Sequence, residues 1–387
     1  MFKTLRNTDV KNKRVVLRCD LNVPIKDGFI LDDSKIKASL ETINYLIEND
    51  CKIIILSHLG KVKTKADKAK NTLEPVYNRL RELLKREIYF SRETRAVNLY
   101  MQVESMLPKD VLLLENTRFE DLNGNLESGC DPQLSMYWAS LCDVFVMDAF
   151  GTSHRKHASN YGISTFLPSA YGLLFKKEVE GLKPIVTNEP KRPFIVIMGG
   201  AKVDDKIELI DSILKKCDYL LLGGGIANTF NKVKGNNIGS SLYSESQEEN
   251  VSTLIGKYSN KIILPIDANV LKENEVLSKD INNIESDEII YDIGNKTIEL
   301  YKNYIDEAKT IFINGTVGYY EDKRFANGTV KLLELVSNSS GIKIAGGGDA
   351  VSSVNNLGFS DKFNFISTGG GATLEYIAKE KIECFED

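Results

Sequence analysis

Four apolar runs in this chain stop on adjacent glycines: "FIVIMGGAK" (194–202), "YLLLGGGIA" (219–227), "IKIAGGGDA" (342–350) and "FNFISTGGGA" (363–372). A short run of β-branched and aliphatic residues reads as a strand buried on both faces, the kind found in parallel sheets. Glycine directly after it lets the main chain turn sharply into a following helix. The remaining apolar runs obey the same rhythm. Strands are predicted at 14–20, 52–60, 111–119 and 143–151 in the first half, and at 261–270 and 310–318 in the second. Between the first two, Ile36, Leu40, Ile43 and Ile47 share one helix face, with Asp33 or Ser34 as its cap. A second amphipathic helix is predicted over 204–216. Strand–helix alternation throughout predicts an α/β fold with parallel sheets.

A chain of 387 residues exceeds what one core serves, so two lobes are expected. The proline-bearing stretch around 167–193 is their connector. The working division is 1–170 for the first lobe, 171–190 for a hinge helix and linker, and 191–372 for the second lobe. The hydrophobic fraction of 42% and charged fraction of 27% are those of a globular protein and exclude long disorder. A net charge of −4 excludes bulk attraction to nucleic acid or an anionic membrane. Six scattered cysteines with no CxxC pair point to free thiols in a reducing compartment. No apolar run has the length of a membrane span, and the N-terminus lacks a signal-peptide core. A cytoplasmic monomer is expected.

Ligands of open α/β sheets bind beyond the carboxyl ends of the strands. Those ends differ between the halves. In the first, "RCDLN", "SHLGK", "ENTRF" and "DAFGTSHRKH" would gather Arg18 or Asp20, Asn22, His58, Lys61, Arg118, His154, Arg155 and His157, including all three histidines. Such a cationic group suits a small polyanion, which guanidinium grips at two points. His157 is expected to be structural. The lysine-rich 61–70 stretch is expected to be a solvated, mobile loop, with only Lys61 near substrate.

In the second half the strands end in bare backbone at Gly199–Gly200, Gly223–Gly225, Gly346–Gly348 and Gly369–Gly371. Four such turns at one edge make a nucleotide cradle. Lys202 and Lys206 can reach phosphates, and Asp349 is a candidate Mg²⁺ ligand. An acid site and a nucleotide site together imply phosphoryl transfer. No Walker A, GxGxxG or HRD/DFG motif is present, which excludes P-loop and protein-kinase mechanisms.

Nine motifs in this order, "RCDLNVP", "LSHLGK", "LENTRF", "DAFGTSHR", "GGAKVDDK", "GGGIANTF", "NGTVG", "AGGGDA" and "STGGGATLE", resemble the phosphoglycerate kinase family from about residue 4 to about 380. The resemblance implies two Rossmann-like lobes joined by a helical hinge, with the C-terminal segment (373–387) returning to the first lobe. It implies reversible phosphoryl transfer between 1,3-bisphosphoglycerate and ADP with Mg²⁺. Carried over residue by residue, Asp20, Asn22, His58, Arg118 and Arg155 would hold 3-phosphoglycerate. Gly200, Ala201, Lys202, Lys206, Gly223, Gly224, Asn314, Glu321 and Asp349 would surround Mg-nucleotide. Lys202 would steady the transferring phosphoryl, with N–H groups from Gly347–Gly348 and Gly370–Gly371.

Four positions depart from the family pattern. Lys35 replaces the catalytic arginine of the DDxRI stretch, and Lys61–Val62 replaces Arg-Pro after SHLG. Thr316 replaces the proline of NGPVG, and Ala350 the threonine of GGGDT. Lysine keeps the charge and loses the planar two-point grip. Two further readings therefore stand beside the kinase: a catalytically impaired paralogue that binds nucleotide or a partner, and a kinase for some other acyl phosphate.

Overall fold

The computed structural model describes residues 3–187, 189–382 and 384. The chain forms two compact units: one runs through Val179 and resumes at Lys381, and the other is Glu180–Glu380. The division falls inside the helix Leu173–Val186. The helix Gly371–Lys379 belongs to the second unit, so the return to the first begins at Lys381 rather than at 373. Of the segments in question, Asn188, Glu383 and 385–387 lie outside the described residues.

The first unit is built on a six-stranded sheet in the order Tyr89–Ser91, Val111–Leu114, Lys52–Leu56, Arg14–Arg18, Val144–Met147, Ser169–Tyr171, every pair parallel. Its middle strands read "RVVLR", "KIIIL", "VLLL" and "VFVM", nearly all buried. Continuous aliphatic runs of this kind are what a sheet covered on both faces needs. Val15 pairs with Ile53 on one side and Val144 on the other, which brings all four carboxyl ends to one edge.

The second unit repeats the plan in the order Ile262–Ile263, Tyr219–Leu222, Phe194–Met198, Thr310–Asn314, Ile342–Ala345, Phe365–Ile366, again all parallel. Its core joins Ile195, Ile197, Ile311 and Ile313 to Tyr301 and Val336 of the covering helices. The two-lobed α/β expectation is thus met in both units.

Three local expectations are corrected. The run 261–270 is two strands rather than one. Ile262–Ile263 ends at the main sheet, and beyond Pro265 the strand Asp267–Lys272 pairs antiparallel with Glu275–Asp280 and Ile289–Ile293 in a separate sheet. Proline lacks the N–H a ladder requires, which is the physical reason for the break. Asp33 occupies the N-cap position of Ser34–Glu48 but makes no capping bond, because its carboxylate pairs with Lys37 and Arg79 instead. The lysine-rich 61–70 stretch is not a loop throughout: Lys65–Lys70 is a short exposed helix. Its start is fixed by Asp67, whose carboxylate accepts the amides of Lys63 and Thr64 at 2.9 and 2.8 Å.

Candidate active site

Beyond the carboxyl edge of the first sheet, three loops are stitched together by short polar side chains. Ser57 Oγ accepts the Leu21 amide at 2.9 Å, and Asn22 Oδ1 accepts the Gly60 amide at 2.9 Å. Asn116 is fully buried and bridges Leu59, Asn71 and the Arg118 amide. Asn22 is therefore held by the backbone of the next loop, and His58 lies between Ser57 and Leu59, which are both tied to neighbouring loops. Sequence reasoning passed over Asn116. The only signal for it was an amide residue directly after a buried strand, where such side chains bind backbone.

Asp20 lies 2.8 Å from Lys35 Nζ, at the first turn of the helix Ser34–Glu48. Burial works against the Asp20 charge, yet Lys35, helped by the Asn22 amide, outweighs it and holds its pKa below the usual value. His58 is mostly enclosed; burial, reinforced by the Arg18 charge, pushes its pKa down to about 3. His157 is also buried, with its pKa down to about 3 by desolvation and then Arg118, in keeping with a structural role. Its amide bonds Asn160 Oδ1 at 2.7 Å.

Arg118 follows Val111–Leu114 and pairs with Asp121 at 3.1 Å. Its Nε is buried with no partner among the described residues. Such a donor costs free energy until something accepts from it. Arg155 and Lys61 are exposed, with no side-chain ion pair among the described residues. The Arg155 loop is fixed by Asn160 Nδ2, which donates to the Arg155 carbonyl at 2.8 Å, and by Cys384 N, which donates to the Ser153 carbonyl at 3.1 Å. His154 lies half-buried in that loop.

At the carboxyl edge of the second sheet the glycines divide into two kinds. A Cβ on Gly199 would lie 2.0 Å from the Thr316 carbonyl oxygen, and one on Gly225 would lie 1.9 Å from that of Ala201. These two glycines are explained by loops that pack backbone to backbone, and Gly223 by the Val317 residue packed against it, side chain included. Gly348 and Gly371 are different. Both are exposed, and a Cβ there would meet nothing within 4 Å. Each opens a helix, Gly348–Asn356 and Gly371–Lys379, as Gly224 opens Gly224–Val233. First-turn N–H groups of such helices have no intrahelical acceptor and favour an anion.

The polar residues of this edge are equally divided. Lys206 Nζ donates to the Gly199 carbonyl at 2.8 Å and lies beside Gly200. Asn314 Nδ2 donates to the Gly346 carbonyl at 2.8 Å beneath Gly347, while its Oδ1 is buried with no partner among the described residues. Lys202, Glu321 and Asp349 are exposed, Ala201 is exposed, and Ala350 is fully buried. Asp349 makes no hydrogen bond or ion pair among the described residues, and it sits in the first turn of its helix. Thr316 is half-buried and contributes its carbonyl to the packing around Gly199.

The sequence profile of the phosphoglycerate kinase family matches residues 5–380. The chain belongs to that family. A phosphoglycerate kinase from Macrococcus caseolyticus is 47% identical over 385 residues, 98% of this chain and 97% of that protein. One from Enterococcus faecalis is 48% identical over 381 residues, 97% of this chain and 96% of that protein. Among solved structures, the phosphoglycerate kinase of Coxiella burnetii superposes with a TM-score of 0.89 at 34% identity, covering 99% of this chain and 98% of that one. That of Pyrococcus horikoshii does so at 0.84 and 30% identity, covering 99% and 97%. Membership makes the chain an enzyme: an ATP-binding kinase of glycolysis, a phosphotransferase with a carboxyl acceptor. Among the described residues no helix is long and apolar enough to cross a membrane.

Proposed function

We propose that the first unit holds 3-phosphoglycerate or its 1,3-bisphosphate and the second holds Mg-ADP or Mg-ATP. The chain works as a monomer in the cytoplasm. The observation that carries this reading is the contrast between the two sheet edges: one offers Arg118 with an unpartnered buried Nε, the other offers two open glycine helix starts.

On the acid side, Arg118, Arg155, His58 and Lys61 bind the phosphate and carboxylate groups, and Asp20 and Asn22 orient the three-carbon chain. On the nucleotide side, Lys202, Lys206 and the turns at Gly200–Ala201, Gly223–Gly224 and Gly347–Ala350 take the phosphates, with Asn314 and Glu321 beside them. Asp349 fits Mg²⁺. Its carboxylate is exposed and unpaired, and no group of three or more His, Cys, Asp or Glu among the described residues is placed to hold a metal unaided. One carboxylate plus nucleotide phosphate oxygens is what that ion takes. When bound, it supplies charge neutralisation at the phosphates.

Transfer demands that the acyl phosphate and ADP meet in line with water excluded, and the segment 171–190 is the hinge in this reading. The transferring group passes through a loose transition state, so these residues contribute position and charge rather than covalent chemistry. Lys35, Lys202 and the N–H groups of Gly348 and Gly371 receive the developing charge. The test is Lys202→Ala, with kcat and the Kd for ADP measured side by side. The rate should fall far more than the affinity; equal losses would remove Lys202 from the transfer step.

A further inference from the structure

Beneath the basic edge of the first unit runs a buried polar chain that none of these binding roles uses. Glu127 is fully buried. Its Oε1 accepts the Ser159 hydroxyl at 2.5 Å, and its Oε2 accepts the Ser159 amide at 2.9 Å. Ser159 Oγ in turn accepts Nε–H of Arg18 at 2.8 Å. Arg18 is 1% exposed and closes the last residue of its strand. It gives Nη1–H to the Cys19 carbonyl and aims Nη2 at Nδ1 of His58, 3.2 Å away.

This geometry decides where the His58 proton sits. A guanidinium has donors and no acceptor. Nδ1 therefore accepts, and the single proton of the neutral ring is on Nε2. Burial and then the Arg18 charge keep the ring neutral; Asp20 opposes them, while Arg118 and Lys35 add to them. With Nδ1 occupied, Nε2–H is the one polar group the ring has left to offer.

We propose that Glu127, Ser159 and Arg18 are positioning residues that lock His58 as its Nε2–H tautomer, a neutral single hydrogen-bond donor to the acid substrate. The proposal deepens the 3-phosphoglycerate reading of this edge and rests on it. It assigns the charge of the site to Arg118, Arg155 and the lysines, and assigns direction to His58. Glu127 matters because an arginine buried without a counter-charge would be costly, and the one charge reaching it through Ser159 also fixes its orientation. Burial pushes the Glu127 carboxyl up and Arg18 pulls it back, the mark of a buried pair.

The test uses the full chain with ¹⁵N-labelled histidine and no substrate, following imidazole nitrogens from pH 5 to 9. With three histidines, His58→Gln assigns the signal. The expected spectrum has one N–H at Nε2, one lone pair at Nδ1, and no titration. An Nδ1–H pattern, or a midpoint between pH 5 and 8, would overturn the proposal without any relay variant. Ser159→Ala should lose the single-tautomer pattern and raise KM for 3-phosphoglycerate about tenfold, the loss expected for one hydrogen bond to a charged group. KM for ATP should stay unchanged and kcat within about threefold, because ground-state and transition-state binding suffer alike. Ser159→Thr keeps the hydroxyl and should restore both. Wild-type spectrum and KM in Ser159→Ala would refute the relay. An Nε2–H spectrum in the unsubstituted chain, together with an unchanged KM for 3-phosphoglycerate in His58→Gln, would overturn the substrate role instead, which separates the two failures.

Discussion

Lys35 Nζ lies 2.8 Å from Asp20 Oδ2, so a lysine standing where the family pattern has arginine is held at one point by a carboxylate that is itself mostly buried. The pair keeps a cation at the helix start despite the unfavourable macrodipole there. Lys35→Ala should lower kcat by about 10³-fold, the lower end of what an arginine on a transferring phosphoryl is worth. Lys35→Arg should raise kcat, because a planar fork offers the phosphoryl two donors. Steady-state rates at saturating substrates check both. A Lys35→Ala enzyme within about tenfold of wild type would show that the lysine serves only Asp20.

The two kinds of glycine predict opposite consequences for the same substitution. Gly371→Ala meets open space and should leave unfolding within about 0.5 kcal/mol of wild type, as for ordinary surface changes. It should still lower kcat roughly 10- to 100-fold, because in the proposed binding mode a methyl group displaces the phosphoryl from the N–H donors of this turn. Gly225→Ala would set a methyl carbon 1.9 Å from the Ala201 carbonyl oxygen. That variant should be clearly destabilised in urea. Equal stability of the two would contradict the division.

Asp148 follows the strand Val144–Met147 and is fully buried. Its Oδ1 accepts the Phe175 amide at 3.0 Å at the start of Leu173–Val186, and Oδ2 has no partner among the described residues. Desolvation pushes its pKa up to about 7, with Glu41 adding to the rise against bonds from Thr42, Phe175 and Leu174. The native state then binds a proton that the unfolded state releases near pH 4. Its contribution to stability is present below about pH 4 and is lost as pH rises to about 7. Asp148→Asn keeps the acceptor for Phe175 and removes the charge. It should flatten the fall in stability between pH 4 and 7 and be the more stable protein at pH 8, by urea unfolding at each pH. An unchanged slope would place the native pKa elsewhere.

Much of this molecule was legible in its sequence because aliphatic runs such as "KIIIL" and "FIVIM" have one comfortable environment, a parallel strand covered on both faces. The loops after them were legible as chemistry, since Arg118, His58 and Asp349 each follow a strand end. The stitching was not. Asn116, Ser159 and Glu127 act through partners 57, 141 and 32 residues away, and no local pattern announces a long-range hydrogen bond. The glycine runs looked uniform because a residue without a side chain does not declare whether a ligand or another loop needs the space. The helix Lys65–Lys70 was hidden by its charge, while Asp67, three residues after Thr64, was the start signal.

The central claim is that this chain turns over as a phosphoglycerate kinase with Lys35 at the transfer position. A coupled assay of ATP formation from 1,3-bisphosphoglycerate and ADP, with Mg²⁺ present, tests it directly. Sustained ATP formation, saturable in both substrates and abolished by chelating Mg²⁺, is the predicted result. Clear ADP binding with no ATP formed would contradict it and leave a nucleotide-binding protein.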